Sequence, residues 1–370
     1  MRVVMVIAQY PPVLGGTERA CQRLSGALVR QGHAVTVITR RAPGTPLVED
    51  GTDGVRVLRV PAAGGRALAG AAFVTGALAR LQSVAHDVVH CHQALSPATV
   101  GALARRARGR PVVVKLAGPG AIGDIGTVRR GVLAPLRRCL LGAVDGWICP
   151  SAELVSEIGA YLPGARAWQV PNGVDAAALA PVDAARRDAL RRELGLSGRA
   201  VLFTGALRPE KNLPLLVAAI AKLPEDVNLV IAGEGAMRPA VEAAIRAHGV
   251  TARVRLLGAV ADVAPWLAAC DAFVMPSASE GMSNALLEAM AAALPIVATD
   301  VPGNAALLTR DEHALLPPPG SEAALVEALG KILGDQQLSR RLGAAARARV
   351  VADYALDSVA RRVAQIYAQL

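Results

Sequence analysis

Aromatic residues are scarce in this sequence: Phe, Trp and Tyr together make up 3% of its 370 residues. Proteins that bind single-stranded nucleic acids need aromatic side chains on which bases stack, so this scarcity argues against that class. Apolar residues nevertheless reach 53% and charged residues only 19%, which is typical of folded domains rather than disordered chains. At about 100–200 residues per domain, the length predicts two or three domains.

Long apolar runs and paired cysteines are also missing. The longest candidate span, residues 67–79, is shorter than the ~18–20 residues that cross a membrane, and glycine interrupts it. The amino-terminal apolar stretch is too short for a signal peptide, so we expect a first β-strand there and a cytoplasmic protein. Five scattered cysteines without a C-x-x-C pair indicate reduced thiols and no structural zinc.

The net charge of +10 is distributed unevenly along the chain. Residues 1–175 carry 20 basic and 10 acidic residues, whereas residues 176–370 carry 20 of each. This asymmetry suggests that the first half faces an anionic partner and that the two halves do different jobs. Nucleic acid is the least supported partner, because no known binding motif accompanies the charge.

Basic residues of the first half form two clusters. We interpret them in three ways: as a solvated helix, as a peripheral contact with anionic lipid, or as an attraction for a phosphorylated or acidic acceptor. Pro135 breaks the amphipathic pattern of the second cluster. The clusters comprise Arg105, Arg106, Arg108 and Arg110, and then Arg129, Arg130, Arg137 and Arg138.

Short β-branched runs alternate with longer Ala- and Leu-rich stretches of helical character. Apolar runs separated by helices are typical of parallel strands buried on both faces of a sheet. Two such series predict an α/β protein with two doubly wound parallel sheets. The predicted strands are residues 3–8, 35–39, 55–60, 87–91, 112–116 and 147–149, followed by 201–204, 228–232, 253–257, 272–275 and 296–299.

The segment 170–175, Val-Pro-Asn-Gly-Val-Asp, has turn chemistry and separates the two series. The charge balance changes at the same place. We therefore predict a first domain over residues 1–172 and a second over 173–354, with a last helix at about 355–370 that packs back on the first. A cleft between the domains is the expected ligand site.

The strongest motif, PSASEGMSNALLE over residues 276–288, follows a predicted strand and opens a helix. Ser283 and Asn284 suit the N-cap of that helix, and helix N-termini bind anions such as phosphate. Glu288 is the only charge between residues 281 and 299. An ionised carboxylate in apolar surroundings needs partners, and ribose hydroxyls are suitable ones. The alternative is a solvated helix face.

Glu280 and Glu288 form an E-x7-E pair that resembles the donor-site signature of retaining glycosyltransferase family 4. The resemblance extends along essentially the whole chain through residues 15–18, 31–37, 170–175, 233–235 and 271–277. It implies a GT-B fold: two Rossmann-like domains that face each other across a cleft, the first binding the acceptor and the second the nucleotide sugar. It also implies that Glu288 binds the donor ribose and Glu280 the sugar hydroxyls. The start of the helix completes the predicted donor site with Gly281, Met282, Ser283 and Asn284. Gly15 and Gly16 follow the first predicted strand, where glycine lets the backbone approach a ligand closely, so we expect them to contact the donor phosphate or the acceptor. The alternative for these two glycines is a plain turn.

A second motif, residues 205–212, follows the next predicted strand. Lys211 matches a lysine of the family, whereas Ala206 stands where the family commonly has arginine. Arg208 lies two positions later and points to the same side in extended backbone, so we expect it to supply the missing charge. Fixed cations stabilise the charge that develops on a leaving diphosphate. The alternative is a surface turn with two exposed cations.

The acceptor side departs from the family in a different way. The family often has a histidine just after the strand that ends near Leu116, and this sequence has Ala117 there. Lys115 lies on the same strand face and is expected to take part of that role, together with His92 at the end of the preceding strand. For His90 we expect a core or edge position.

The resemblance implies an enzyme that moves a sugar from a nucleotide sugar to an acceptor with retention at the anomeric carbon. We expect the sugar to be a hexose or N-acetylhexosamine and the acceptor to be a hydroxyl of a saccharide, a metabolite or a lipid-linked glycan. The expected nucleotide is UDP, with GDP as the alternative. No Asp-x-Asp metal motif ends a predicted strand, so we expect neither a metal nor another cofactor. The competing interpretations are a nucleotide-sugar epimerase of related architecture and a hinged binding protein. A binding protein has no reason to combine Lys211, Glu280 and Glu288.

Overall fold

The computed structural model describes the whole chain except residues 14, 52, 62–68, 121–122 and 131–132. The chain divides into two compact units, one formed by Met1–Gly173 with Leu356–Leu370 and the other by Val174–Ala355. The change of unit after Gly173 falls inside the segment 170–175, where turn chemistry places the hinge.

An eight-stranded sheet forms the centre of the first unit, in the spatial order β3-β4-β2-β1-β5-β6-β7-β8. Neighbouring strands run parallel except β3, which pairs antiparallel with β4 at the edge. The strands are β1 (Arg2–Val6), β2 (Ala34–Arg40), β3 (Val48–Asp50), β4 (Arg56–Val60), β5 (Val88–His92), β6 (Val112–Lys115), β7 (Gly146–Cys149) and β8 (Ala167–Gln169). The helices are α1 (Gly16–Arg30), α2 (Ala69–Gln82), α3 (Ser96–Arg108), α4 (Asp124–Val128), α5 (Ala134–Leu141) and α6 (Ala152–Tyr161).

The second unit contains a five-stranded parallel sheet in the order β11-β10-β9-β12-β13. One cluster of buried apolar side chains joins this sheet to its helices. The strands are β9 (Arg199–Thr204), β10 (Val227–Ala232), β11 (Val254–Gly258), β12 (Ala272–Met275) and β13 (Ile296–Ala298). The helices are α7 (Ala184–Glu193), α8 (Leu213–Ala221), α9 (Arg238–Ala247), α10 (Ala264–Ala269), α11 (Asn284–Ala291), α12 (Pro302–Ala305), α13 (Glu322–Gly334) and α14 (Gln336–Asp353), and a 3-10 turn spans Pro209–Lys211.

The last helix, α15 (Leu356–Tyr367), returns to the first unit and packs against α1. Because successive strand residues point to opposite faces, Val4 and Val6 of β1 face α2, α3 and α6, whereas Val3 and Met5 face α1 and α15. Both faces of the sheet are therefore covered, which explains why its central strands are apolar throughout.

All eleven predicted strands are present, with ends that shift by at most two residues. The prediction of two parallel α/β sheets is confirmed. Sequence reasoning missed β3 and β8, and the reason is physical: both are three-residue edge strands, β3 exposed and β8 half-buried, so neither carries the buried apolar run of a central strand.

Each sheet has one point at which the strand order reverses. In the first unit, β1 has β2 on one side and β5 on the other; in the second unit, β9 lies between β10 and β12. Successive crossovers leave such a point in opposite directions, and this opens a crevice at the carboxyl ends of the strands. The topology thus marks the loops after β1 and β5, and those after β9 and β12, as ligand sites.

Candidate active site

Lys211 and Glu280 meet at the reversal point of the second sheet. Lys211 ends the 3-10 turn after β9, and its Nζ contacts Glu280 Oε1 in the loop after β12. Ser277 Oγ donates a hydrogen bond to the same carboxylate oxygen at 2.6 Å. The Lys211 and Glu280 side chains are only 14% and 9% exposed. A largely buried ion pair is stable only with good geometry and further hydrogen bonds. The hydrogen bond from Ser277 meets this requirement, so the positions of the Lys211 and Glu280 side chains are fixed.

Backbone contacts bring these loops together. The N–H of Ala278 donates to the carbonyl of Glu210 at 2.7 Å and so connects the loop after β12 to the loop after β9. Gly303, in α12, lies so close to this loop that a Cβ at its position would come within 2.2 Å of the Glu280 carbonyl oxygen. Only glycine permits this approach. The backbone on both sides of Glu280 is therefore fixed.

Three buried polar side chains support the loop after β12, and sequence reasoning missed all three. Besides Ser277, Thr299 Oγ1 donates to the Ser277 carbonyl at 2.5 Å, and Asn304 Nδ2 donates to the Thr299 carbonyl at 2.9 Å. The signal for Thr299 was its position at the end of a predicted strand, in an otherwise apolar stretch. The sequence around Asn304 contains no signal that would predict its hydrogen bond to Thr299.

The helix that follows Glu280 begins as predicted. Ser283 is the N-cap of α11, and its Oγ accepts a hydrogen bond from the Leu286 N–H at 3.3 Å. Glu288 lies one turn further along this helix and is 4% exposed. The alternative of a solvated helix face is therefore excluded for Glu288. Its role toward a ribose stays a prediction, as do the ligand contacts of residues 281–284.

Arg208 does not join the Lys211–Glu280 pair. The segment is extended at Arg208, with φ −113° and ψ 160°, and Ala206 and Arg208 are both exposed while Leu207 between them is buried. Ala206 and Arg208 thus face the same side, as their spacing predicts. The Arg208 side chain is 66% exposed and lies 3.9 Å from Glu210. That it replaces the family arginine stays a prediction.

In the first unit, the glycine loop opens α1. Gly15 is the N-cap residue, and α1 begins at Gly16. Leu14, which precedes them, lies outside the described residues. The position at the carboxyl end of β1 is the one that the sequence predicts, and a ligand contact of this loop stays a prediction.

A buried polar layer lies at the ends of β5 and β6. His92 pairs in register with Lys115, so both side chains share a face with His90. The rings of His90 and His92 stack at 4.6 Å between centroids, and His90 Nδ1 lies 2.5 Å from the Tyr367 hydroxyl. Each histidine leaves its Nε2 buried without a partner among the described residues. His90 is therefore the core histidine that we expect, but with one nitrogen unsatisfied.

Burial determines the protonation of this layer. Desolvation, reinforced by the positive charge of Lys115, lowers the pKa of His92 to about 3 and brings that of His90 well below its ordinary value. Both histidines are neutral at physiological pH. Desolvation also lowers the pKa of Lys115 to about 8, so its ammonium is still mostly protonated at pH 7.

Asp124 connects the loops that follow β5 and β6. Its carboxylate is buried and accepts hydrogen bonds from the N–H groups of Ala94 at 2.8 Å, Ala117 at 2.6 Å and Gly118 at 3.3 Å. Sequence reasoning did not select Asp124, although one signal was available: it is the only acidic residue between Asp87 and Asp145.

Two arginines of the second basic cluster, Arg129 and Arg138, line a surface cavity of about 710 Å³ near α5 and the end of α6. Arg129 and Arg138 lie over the ring of Tyr161, at 5.5 and 5.8 Å from its centroid. Pro135 occupies the first turn of α5, so it begins this helix rather than breaking it. Nearby Leu133 and Leu136 are 57% and 55% exposed.

Binding a metal ion and crossing a membrane each place requirements on the side chains and helices of the described ranges. No group of three or more His, Cys, Asp or Glu side chains there could hold a metal ion. Among the helices of the same ranges, none combines the length and the apolar character that crossing a bilayer requires.

Comparisons with known proteins decide the family. Residues 14–178 match the family model described as Glycosyltransferase Family 4, and residues 198–335 match the one described as Glycosyl transferases group 1. The D-inositol 3-phosphate glycosyltransferase of Xylanimonas cellulosilytica is 32% identical over 96% of this chain and 92% of its own length. The chain belongs to glycosyltransferase family 4. This family 4 enzyme is also 31% identical to the GDP-mannose-dependent alpha-mannosyltransferase of Mycolicibacterium smegmatis, over 95% of the chain and 93% of that relative.

Solved structures agree on the fold of this family 4 glycosyltransferase. The sucrose-phosphate synthase of Thermosynechococcus elongatus superposes with a TM-score of 0.85 at 24% identity, covering 100% of this chain and 98% of that one. The Anabaena protein HepE, in complex with UDP-glucose, superposes with a TM-score of 0.83 at 21% identity, covering both chains completely. The predicted GT-B fold is confirmed, and the protein is a glycosyltransferase that uses sugar-nucleotide donors.

Proposed function

We propose that this enzyme is a retaining, metal-independent glycosyltransferase that moves a hexose or N-acetylhexosamine from a UDP sugar to an acceptor hydroxyl. One observation carries the proposal: the Lys211–Glu280 pair lies at the reversal point of the second sheet, directly before the helix that carries Glu288. In this proposal, Glu288 binds the ribose hydroxyls and the N–H groups at the start of α11 face the diphosphate.

Lys211 has the chemistry to act on the leaving group. Its ammonium has three N–H donors, of which the contacts with Glu280 and with Met275 Sδ use two, so one donor remains for a phosphate oxygen. When the bond between the anomeric carbon and the phosphate oxygen breaks, negative charge develops on that oxygen. A fixed cation there stabilises the transition state, which is the work that a metal ion does in other transferases. Arg208 is the second cation in this proposal.

Glu280 is suited to bind the sugar. A carboxylate accepts hydrogen bonds from hydroxyls, and Ser277 and Lys211 fix the position of one of its two oxygens. Retention requires the acceptor oxygen to bond to the anomeric carbon on the face from which the phosphate departs. The acceptor hydroxyl then gives its proton to the departing phosphate oxygen, which balances the reaction without a further co-reactant.

UDP is the first choice of nucleotide and GDP the second. The solved structure of HepE is a complex with UDP-glucose, which supports UDP. The mannosyltransferase relative is GDP-mannose-dependent, which keeps GDP as the alternative. The acceptor contacts in this proposal come from His92 and Lys115, and the acceptor class is a hydroxylated saccharide, metabolite or lipid-linked glycan.

The decisive experiment follows nucleotide release from UDP-glucose, UDP-N-acetylglucosamine and GDP-mannose, with and without acceptors and with EDTA present. We expect slow release alone, faster release with an acceptor, and no loss with EDTA. The product should keep the anomeric configuration of the donor in its proton NMR coupling constant. Inversion at the anomeric carbon would contradict retention, and loss of activity in EDTA would contradict metal independence.

We also propose a peripheral contact with anionic lipid on the cytoplasmic side, with a soluble acceptor as the alternative. The exposed Leu133 and Leu136, flanked by arginines, support this. Replacing the four arginines by Gln should weaken binding to phosphatidylglycerol vesicles by ~1 kcal/mol per residue. Binding should also fall with salt, since the screening length is about 8 Å near physiological ionic strength. The variant replaces Arg129, Arg130, Arg137 and Arg138; a control replaces Arg192, Arg246 and Arg340, which are exposed on the second unit.

If the variant sediments with these vesicles as the wild type does, or if neither protein binds, the lipid contact is wrong. The arginines then form a solvated surface, and a soluble acceptor is favoured.

A further inference from the structure

Lys115 is a buried cation without a counter-charge. Its side chain ends β6 and the residue is 6% exposed, yet its ammonium forms no hydrogen bond or ion pair with any residue that the structure describes. Lysines are almost never buried unless they are paired, because removing an ammonium from water is costly. Packing in the apolar core therefore does not explain why a lysine occupies position 115.

The side chains that interact electrostatically with Lys115 are uncharged at neutral pH. From α1, Cys21 interacts with it electrostatically, but burial raises the pKa of this thiol to about 12. From β5, His90 and His92 are neutral. From α15, burial keeps the Tyr367 hydroxyl protonated by raising its pKa well above the ordinary value. Glu18, also on α1, acts on Cys21 and has contacts of its own.

The placement of Lys115 is that of a ligand-binding residue. It lies at the carboxyl end of a central parallel strand, next to His92, whose Nε2 is buried without a partner among the described residues. Asp124 fixes the loops that continue from both strands. The backbone of Gln93, directly after His92, has φ +75°, a left-handed conformation that non-glycine residues adopt at a cost and that concentrates at functional sites.

We propose that Lys115 and His92 bind an oxyanion of the acceptor, of the phosphate-ester class, so that the acceptor is a phosphorylated hydroxyl compound. This rests on the proposed function, in which these two residues contact the acceptor. An ammonium and an imidazole N–H are both donors to phosphate oxygens, and the anion supplies the counter-charge that the protein lacks. The phosphate can belong to a soluble sugar phosphate or to a lipid headgroup.

This assignment predicts a pH dependence with a definite sign. The anion binds the protonated ammonium, so affinity falls as the pH rises above the pKa of free Lys115, about 8. Below a pH of about 6 the phosphate ester takes up a proton and loses charge, so affinity should also fall there. By linkage, the bound anion raises the pKa of Lys115.

The chain has only four lysines, at positions 115, 211, 222 and 331, so each is observable by NMR after labelling with lysine carrying carbon-13 at Cε. We expect glucose 6-phosphate to move the Lys115 signal and to raise its titration midpoint by roughly one pH unit or more, and glucose to do neither. UDP should move the Lys211 signal instead, which tests the proposed function separately. Lys222, whose side chain is 64% exposed, is an internal control.

Three probes separate the sources of phosphate: glucose 6-phosphate, inorganic phosphate and phosphatidylglycerol vesicles. A response to glucose 6-phosphate supports a soluble phosphorylated acceptor, and a response to vesicles alone supports a lipid headgroup. A response to inorganic phosphate alone, or no response of Lys115 to any probe while UDP still moves Lys211, overturns the proposal and leaves the proposed function intact.

A variant provides the second test. Lys115→Met removes a buried unpaired charge at similar length, so it should fold at least as stably as the wild type. Losing a charged hydrogen bond should weaken the binding of glucose 6-phosphate by roughly ten- to a hundredfold, with Lys115→Arg recovering part of the loss and Lys222→Met losing nothing. Equal affinity in Lys115→Met and wild type overturns the proposal.

Discussion

The two units each place a lysine at the carboxyl edge of a parallel sheet, and the two lysines differ in their partners. Lys211 contacts Glu280, which also accepts a hydrogen bond from Ser277. Lys115 has no such partner among the described residues. The second unit therefore supplies both a cation and a carboxylate. This suits a nucleotide sugar, whose diphosphate interacts with the cation and whose hydroxyls donate to the carboxylate. In the first unit, Lys115 supplies the positive charge, and the anionic ligand that we propose supplies the negative charge.

Breaking the Lys211–Glu280 pair should have the largest effect on catalysis. Lys211→Met removes the cation that faces the leaving diphosphate, and we expect turnover to fall by roughly 10²–10³-fold, more than donor binding weakens. Steady-state kinetics with a UDP sugar measures this. Lys222→Met, an exposed lysine on the same unit, is the matched control. Full turnover in Lys211→Met would place the leaving-group cation elsewhere.

Removing the buried carboxylate of α11 should weaken donor binding next. Glu288→Ala should cost ~2–4 kcal/mol of donor affinity, because two ribose hydrogen bonds to a carboxylate are lost. Calorimetry of UDP binding measures the change, and a thermal melt shows whether the variant is folded. Glu288→Gln, which keeps the shape, should lose less. An unchanged dissociation constant in the folded alanine variant would refute the ribose assignment.

Weakening the hydrogen bonds that hold the loops after β5 and β6, next to Lys115, should have a smaller effect, confined to acceptor binding. Asp124→Asn replaces one carboxylate oxygen, which accepts hydrogen bonds from backbone N–H groups, by an amide nitrogen that cannot accept them. We expect acceptor KM to rise roughly tenfold, since a charged hydrogen bond contributes about 1.5–3 kcal/mol. Donor affinity, measured in parallel, should stay constant. An equal rise in both would show general destabilisation rather than positioning of the acceptor loops.

The smallest effect is expected at Arg208. Because its side chain is largely exposed, Arg208→Ala should lower turnover only several-fold, in keeping with a screened charge. If it acts on the same diphosphate as Lys211, the double variant should be non-additive. Strict additivity, or full turnover in Arg208→Ala, would assign Arg208 to the surface and leave the family arginine without a replacement.

Local chemistry made part of the site predictable from sequence. Ser283 has N-cap chemistry before an apolar helix, and Glu288 is the only charge in a long apolar stretch, so both could be selected from neighbours alone. The strands were predictable for the same reason, since their apolar runs are continuous.

Long-range pairing was not predictable in this way. Lys211 and Glu280 are 69 positions apart and meet only because β9 and β12 are neighbours in the sheet. His90 and Tyr367 are separated by 277 positions and meet through the return of α15. Apolar periodicity gives the elements but not their order, so partners that depend on the order stay hidden.

The contrast between the two lysines is tested most directly by measuring UDP affinity in Lys211→Met and Lys115→Met by calorimetry, under identical conditions. The account predicts weaker UDP binding in Lys211→Met and wild-type UDP affinity in Lys115→Met. Weaker UDP binding in Lys115→Met, with wild-type affinity in Lys211→Met, would contradict the assignment of the paired lysine to the donor and of the unpaired lysine to the acceptor.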